Sequence, residues 1–260
     1  MFFSFSEQER DRFSLARAAA VKLLGAGGTR RGIGVYGEKT LHATLKYYYQ
    51  PDSTRHEVGM ASLVADACIE GEDGVQTAVE IQTGSFVPLA KKLEKYRDAG
   101  TSVLVVMPLV AHKRIVWADR ESGELHKPRR SPRVGRVSDA LKELYFIREY
   151  LLMPNLTVDV LLIDMDEYRV LDGWGNGGKR GSHRIERFPS EALSLLRLTS
   201  LQDYMSFVPT ELENGFTARE YAKLTHLTPR RANSALRLLV SLGLLAREKE
   251  GRGYLYRRLE

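Results

Sequence analysis

A single cysteine, Cys68, stands among 260 residues. An internal disulfide and a cysteine-rich zinc site are therefore excluded, and the chain fits a reducing compartment. No stretch approaches the roughly 18 apolar residues of a membrane-spanning helix. The opening Met-Phe-Phe-Ser-Phe-Ser runs straight into acids and bases, unlike a secretory signal. These absences predict a cytoplasmic protein with no membrane partner. The histidines at 42, 56, 112, 126, 183 and 226 show no metal-binding spacing and none pairs with Cys68, which reads as a packed thiol. Residues 25–37 are glycine-rich and basic but lack the Gly-x-x-x-x-Gly-Lys-Ser/Thr order of a P-loop. Internal repeats and low-complexity tracts are missing too.

What is present is globular. With 43% hydrophobic and 28% charged residues, the chain can build a core and needs neither disorder nor a fibrous repeat. The net charge of +6 is unevenly placed. Residues 215–260 hold ten Lys or Arg against four Asp or Glu, which is the whole of the excess. A polyanion is expected there.

Periodicity predicts a helix over 6–24, with Leu15, Ala18, Ala19, Leu23 and Leu24 on its packed face. A second helix over 38–50 ends at Pro51, and strands at 56–61, 63–70 and 76–83 follow. A helix over 86–98 precedes a buried strand at 102–109, another strand at 113–119, a basic loop at 127–136, a helix over 137–152 and a strand at 157–164. The segment 172–184, Asp-Gly-Trp-Gly-Asn-Gly-Gly-Lys-Arg-Gly-Ser-His-Arg, reads as a mobile loop, and 190–206 as a helix. This order predicts an α/β domain over 1–184, a helical connector over 185–214 and a small module over 215–260.

In that module Thr217 and Glu220 form a capping box, and Thr228-Pro229 starts a second helix reaching Leu242. Leu236, Leu239 and Val240 give it a core face. Arg230, Arg231, Asn233, Ser234 and Arg237 give it a polar one, with no acid near the two arginines at its start. A hairpin follows, with Arg252 in its charged turn. The layout resembles a winged helix-turn-helix, which implies a helix in the DNA major groove and a wing on phosphate. The alternative is a winged module that docks on protein.

The sharper chemistry lies between residues 63 and 83. Asp66 sits in Val-Ala-Asp-Ala-Cys-Ile; Glu80 and Gln82 sit in Ala-Val-Glu-Ile-Gln-Thr and leave the same strand face. A hairpin through Gly71–Gly74 sets Asp66 beside Glu80. Two carboxylates in apolar surroundings repel, and a divalent cation with oxygen ligands relieves that repulsion.

These residues resemble the PD-(D/E)XK nuclease superfamily over about 38–109. The resemblance implies a restriction-endonuclease-like mixed sheet flanked by helices, with Asp66 and Glu80 as ligands of Mg2+ or Mn2+. The family's usual strand lysine is Gln82 here, as in Glu-x-Gln members. Lys92 and Tyr96 resemble the Gln-x-x-x-Tyr pair of the following helix, with Lys91 or Lys92 available to replace the missing charge. Glu38 matches an extra helical acid, and Glu57 rivals it. The implied function is metal-dependent endonuclease action on duplex or branched DNA, with a homodimer one way to cut both strands. The alternatives are a non-catalytic DNA-binding protein or transcriptional regulator on a nuclease-like scaffold, or a nuclease acting on RNA.

Overall fold

The computed structural model describes residues 2–26, 39–119, 122, 124–174, 180–251 and 253–259. A short strand, β1 (Phe2–Ser4), leads into α1 (Glu7–Ala26) and α2 (Lys39–Tyr49). Three strands follow, β2 (His56–Met60), β3 (Leu63–Glu70) and β4 (Gln76–Ile81), then α3 (Val87–Asp98). The long β5 (Ser102–Ala118) precedes β6 (Arg129–Arg130) and α4 (Leu141–Leu144), which lies between two 3-10 turns. The hairpin of β7 (Leu156–Trp174) and β8 (Arg180–Leu198) comes next. The chain ends with β9 (Phe216–Thr217), α5 (Ala218–Thr225), α6 (Pro229–Ser241), β10 (Leu245–Glu250) and β11 (Gly253–Arg258).

Eight strands form one mixed sheet in the order β1-β8-β7-β5-β4-β3-β2, with β6 also on β5. The β4–β5 and β5–β7 pairs are parallel. Strands at the centre of such a sheet are buried on both faces; β5 is apolar over Val103–Met107, and Ala78–Ile81 of β4 are buried with Glu80 as the one charge among them. On one face Phe13, Ala16, Leu41 and Leu45 pack on Val79, Leu104, Val106 and Leu161. On the other, Leu89, Leu93 and Tyr96 of α3 pack with Leu144, Val103, Val105 and Val158. That second core runs without a break into Tyr204, Phe207, Tyr221, Leu236 and Tyr256. Burying a leucine such as Leu45 or Leu93 contributes roughly 2 kcal/mol. The α/β expectation holds: a mixed sheet flanked by helices, with a small antiparallel sheet, β10-β11-β9, at the C-terminus. Among the described residues no helix is long and apolar enough to cross a membrane.

Several local expectations need correction. The packed face of α1 is set by Phe13, Ala16 and Ala20, while Leu15 and Leu23 are exposed. Phe13, the bulkiest side chain on that face, fixes the phase of the helix. Strands expected at 102–109 and 113–119 are one strand, with a register shift between Val110 and His112 absorbing the irregularity. The helix expected over 137–152 is 3-10, one α-helical turn, then 3-10 again. Residues 172–174 and 180–184 are not loop: β7 and β8 stay paired out to Trp174↔Arg180. Glycine-rich chain builds no core, but it can extend a ladder already in place. Residues 175–179 lie outside the described residues. The helical connector over 185–214 is instead β8 up to Leu198, then a 3-10 segment, Leu201–Phe207. The run Ala-Leu-Ser-Leu-Leu-Arg-Leu fits strand or helix by hydropathy, and tertiary pairing with β7 decides it.

Candidate active site

The turn at Gly71–Gly74 fixes where the two acids meet. Gly74 takes φ = 76°, a left-handed conformation suited to glycine. The Gly71 N–H donates to the Val75 carbonyl at 3.0 Å. The ladder then runs Cys68↔Ala78 and Ala67↔Val79, so one further step sets Asp66 level with Glu80. At that step β3 leaves β4 and stays with β2. The Asp66 carboxylate fills the gap, its Oδ2 accepting from the Ile81 N–H at 2.7 Å.

The two carboxylates have different surroundings. Asp66 faces α2, where His42 Nε2 lies 3.2 Å from its Oδ2. Burial pushes the Asp66 carboxyl up, but His42, the Ile81 N–H and Lys46 outweigh that and hold it below the ordinary range. Glu80 faces α3 and has no exposed surface. Lys92 Nζ lies 2.7 Å and 2.9 Å from its two oxygens, and the Tyr96 hydroxyl donates to Oε1 at 2.8 Å. Lys92 and Tyr96 are four apart on a helix, so they share a face. Burial raises the Glu80 pKa, and the two donors reduce the rise without cancelling it. Burial and the Glu80 charge also push the Tyr96 phenol upward, so it stays a donor. Environments that drive paired carboxylates apart in this way are common at reactive centres.

The other expected residues divide. Gln82 is half-buried just beyond β4; its N–H donates to the Val106 carbonyl at 2.9 Å. Its side chain makes no hydrogen bond among the described residues. Glu57 sits on β2 at φ = 52°, level with Asp66 in the β2–β3 register, and its carboxylate ion-pairs with Lys46. Glu38 lies outside the described residues. A cleft of about 620 Å³ opens on the α2 side, lined by His42, Lys46, His56, Glu57 and Thr83. Metal spacing among the histidines does not single out His42, and it says nothing of Lys46. The available signal was their separation of four on the helix before the acidic strands, which puts both on one face.

At the C-terminus, Thr217 and Glu220 make the expected capping box, and Thr228 caps α6 with Pro229 at its first position. Arg230, Asn233 and Arg237 are exposed and Ser234 is half-buried. Asn233 and Ser234 bond back to the carbonyls of Pro229 and Arg230. The expectation for Arg231 is corrected. An acid does lie nearby, because Arg231 Nη1 is 3.0 Å from Asp139. That partner is 92 residues away in sequence, beyond any local reading. Arg252 lies outside the described residues.

Among the described residues no three His, Cys, Asp or Glu side chains gather as a metal-holding group. No solved structure significantly matches the chain. A curated relative from Treponema pallidum (strain Nichols), described as an uncharacterized protein, is 26% identical over 222 residues, 85% of each chain. A family described as a domain of unknown function, DUF8091, matches residues 39–199, from the start of α2 to just past the end of β8. With more than half its length matched, the chain belongs to the DUF8091 family.

Proposed function

We propose that the chain is a metal-dependent nuclease of PD-(D/E)XK type that hydrolyses phosphodiesters in DNA. The observation that carries this reading is the Lys92–Glu80 pair. The strand position two after Glu80 holds a neutral Gln82, and the missing positive charge arrives from α3 at the same acid. Lys92 also neutralises the buried Glu80 charge, a role it has with or without catalysis.

The donor set suits a hard cation. Mg2+ is commonly bound through one or two carboxylates with the remaining positions kept as water; Asp66 and Glu80 would hold it once Lys92 gives up a Glu80 oxygen. Both described contacts of Asp66 fall on Oδ2, leaving Oδ1 for this role. A bound metal would lower the pKa of a coordinated water and stabilise charge developing on phosphate. The chain's own residues do the rest. His42 and the Ile81 N–H orient Asp66, and Tyr96 orients Glu80. Lys92 supplies positive charge to an oxyanion, and the Gln82 amide positions water. Arg230 and Arg237 on α6 present cations to a duplex.

The second reading, a DNA-binding protein without catalysis, is favoured by the complete burial of Glu80 and by both its oxygens being occupied. Cleavage of supercoiled plasmid and of branched and single-stranded oligonucleotides, with Mg2+, Mn2+ or EDTA, separates the two. Metal-dependent cutting that is lost in Asp66→Ala supports the nuclease. Duplex binding with no cutting of any substrate supports the alternative.

A further inference from the structure

The basic segment 127–136 is fastened along β5. Arg130 and Arg129 pair with Arg114 and Ile115, the Ser131 N–H donates to Lys113 O at 2.8 Å, and the Gly135 N–H donates to Ala111 O at 2.9 Å. The approach at Gly135 is close: a Cβ there would stand 2.0 Å from the Val110 carbonyl oxygen, so only glycine fits. Arg133 lies between these anchors, exposed, with no side-chain partner among the described residues. A flexible loop would not hold an arginine in one place. This one is fixed at both ends.

Beside it is a cavity of about 290 Å³ whose charged lining is Lys113, Arg133, Arg184, Arg187, Asp139 and Glu167. Its acids are already matched. Glu167 is held by both Lys113, at 3.1 Å, and Arg169. Asp139 is held by Arg231 of α6. With Lys113 on Glu167 and Arg231 on Asp139, Arg133 adds a positive charge that neither lining acid is seen to match.

Its position is also informative. Leu161, Ile163 and Met165 of β7 pack on the α1–α2 side, and Glu167 continues the same alternation. That part of the lining faces the same side of the sheet as the His42 cleft, while Leu109 belongs to the opposite core. Glu80 is level with Val105 on β5, and Lys113 lies further along that strand. At about 3.3 Å per residue the separation is roughly 25 Å, or roughly seven base pairs of duplex.

We infer that this cavity is a phosphate site that takes a backbone phosphodiester of duplex DNA and fixes where the duplex lies relative to Asp66 and Glu80. It rests on DNA being the partner, as proposed above. The test is anisotropy of a labelled duplex of about 30 base pairs in EDTA, titrated from about 50 to 200 mM salt. Wild type is compared with Arg133→Ala, Arg133→Glu and, as a surface control, Arg148→Ala. Arg133→Ala is expected to weaken binding about 3- to 10-fold and to lower the salt slope by about one. Arg133→Glu weakens it further, and Arg148→Ala matches wild type. Wild-type affinity and slope in both Arg133 variants, with circular dichroism unchanged, would overturn the site. So would a wild type that binds no duplex. EDTA removes cutting from the measurement, so a failure of hydrolysis with binding intact counts against the nuclease reading and not against this site.

Discussion

The Lys92 ammonium lies 2.7 Å from an oxygen of Glu80, a carboxylate with no solvent exposure, and the Tyr96 hydroxyl one turn further along α3 binds the same group. Removing Lys92 leaves a buried charge with its cation gone. Lys92 is itself one-third exposed, so the cost falls below that of a fully buried pair. Lys92→Ala is expected to lose about 2 kcal/mol in urea unfolding, and Glu80→Gln in that background to recover much of it. Equal stability of Lys92→Ala and wild type would show that the pair does not hold the charge.

Glu167 gives a pH dependence with a defined sign. Burial pushes its carboxyl up, but Lys113 and Arg169 outweigh this and hold it below its ordinary value of 4.5. A depressed acid stabilises the fold fully above its unfolded pKa, and that contribution is lost as pH falls through the folded pKa. Glu167→Gln should therefore melt below wild type at neutral pH, and the two should converge as pH drops below about 4.5. A difference in melting temperature that stays constant into acid would contradict this. Glu80 has the opposite sign: its raised pKa means that ionisation on going up from acid pH costs stability.

The arginines of α6 should separate by their partners. Arg230 and Arg237 are exposed, whereas Arg231 is tied to Asp139. If α6 meets DNA, Arg230→Ala and Arg237→Ala should each lower the salt slope of duplex binding by about one. Arg231→Ala should act mainly on stability, by about 1 kcal/mol or less for a partly exposed pair. An equal slope change in all three would show that Arg231 leaves Asp139 to reach phosphate.

The meeting of Asp66 and Glu80 was legible because a short turn with Gly74 sets the register of one hairpin, and counting outward from it needs no tertiary information. Lys92 and Tyr96 were legible because helical spacing puts them on one face. The C-terminal caps at Thr217 and Thr228 were legible for the same local reason. What could not be read depends on distant partners. Residues 185–198 become strand because β7 offers an edge, and Arg231 is neutralised by an acid in another part of the chain. Leu15 looked like core by hydropathy, yet Phe13 claims the packed face. His42 was visible throughout, and what was missing was any way to know that α2 would lie over β3.

Lys92 is proposed to provide from α3 the charge that Gln82 lacks on the strand. Plasmid cleavage in Mg2+ by wild type, Lys92→Ala, and Lys92→Ala combined with Gln82→Lys tests it most directly. Loss of about 100-fold or more in Lys92→Ala is predicted, as for removal of one group that stabilises developing charge, with substantial recovery in the double variant. Wild-type cutting by Lys92→Ala would contradict the claim.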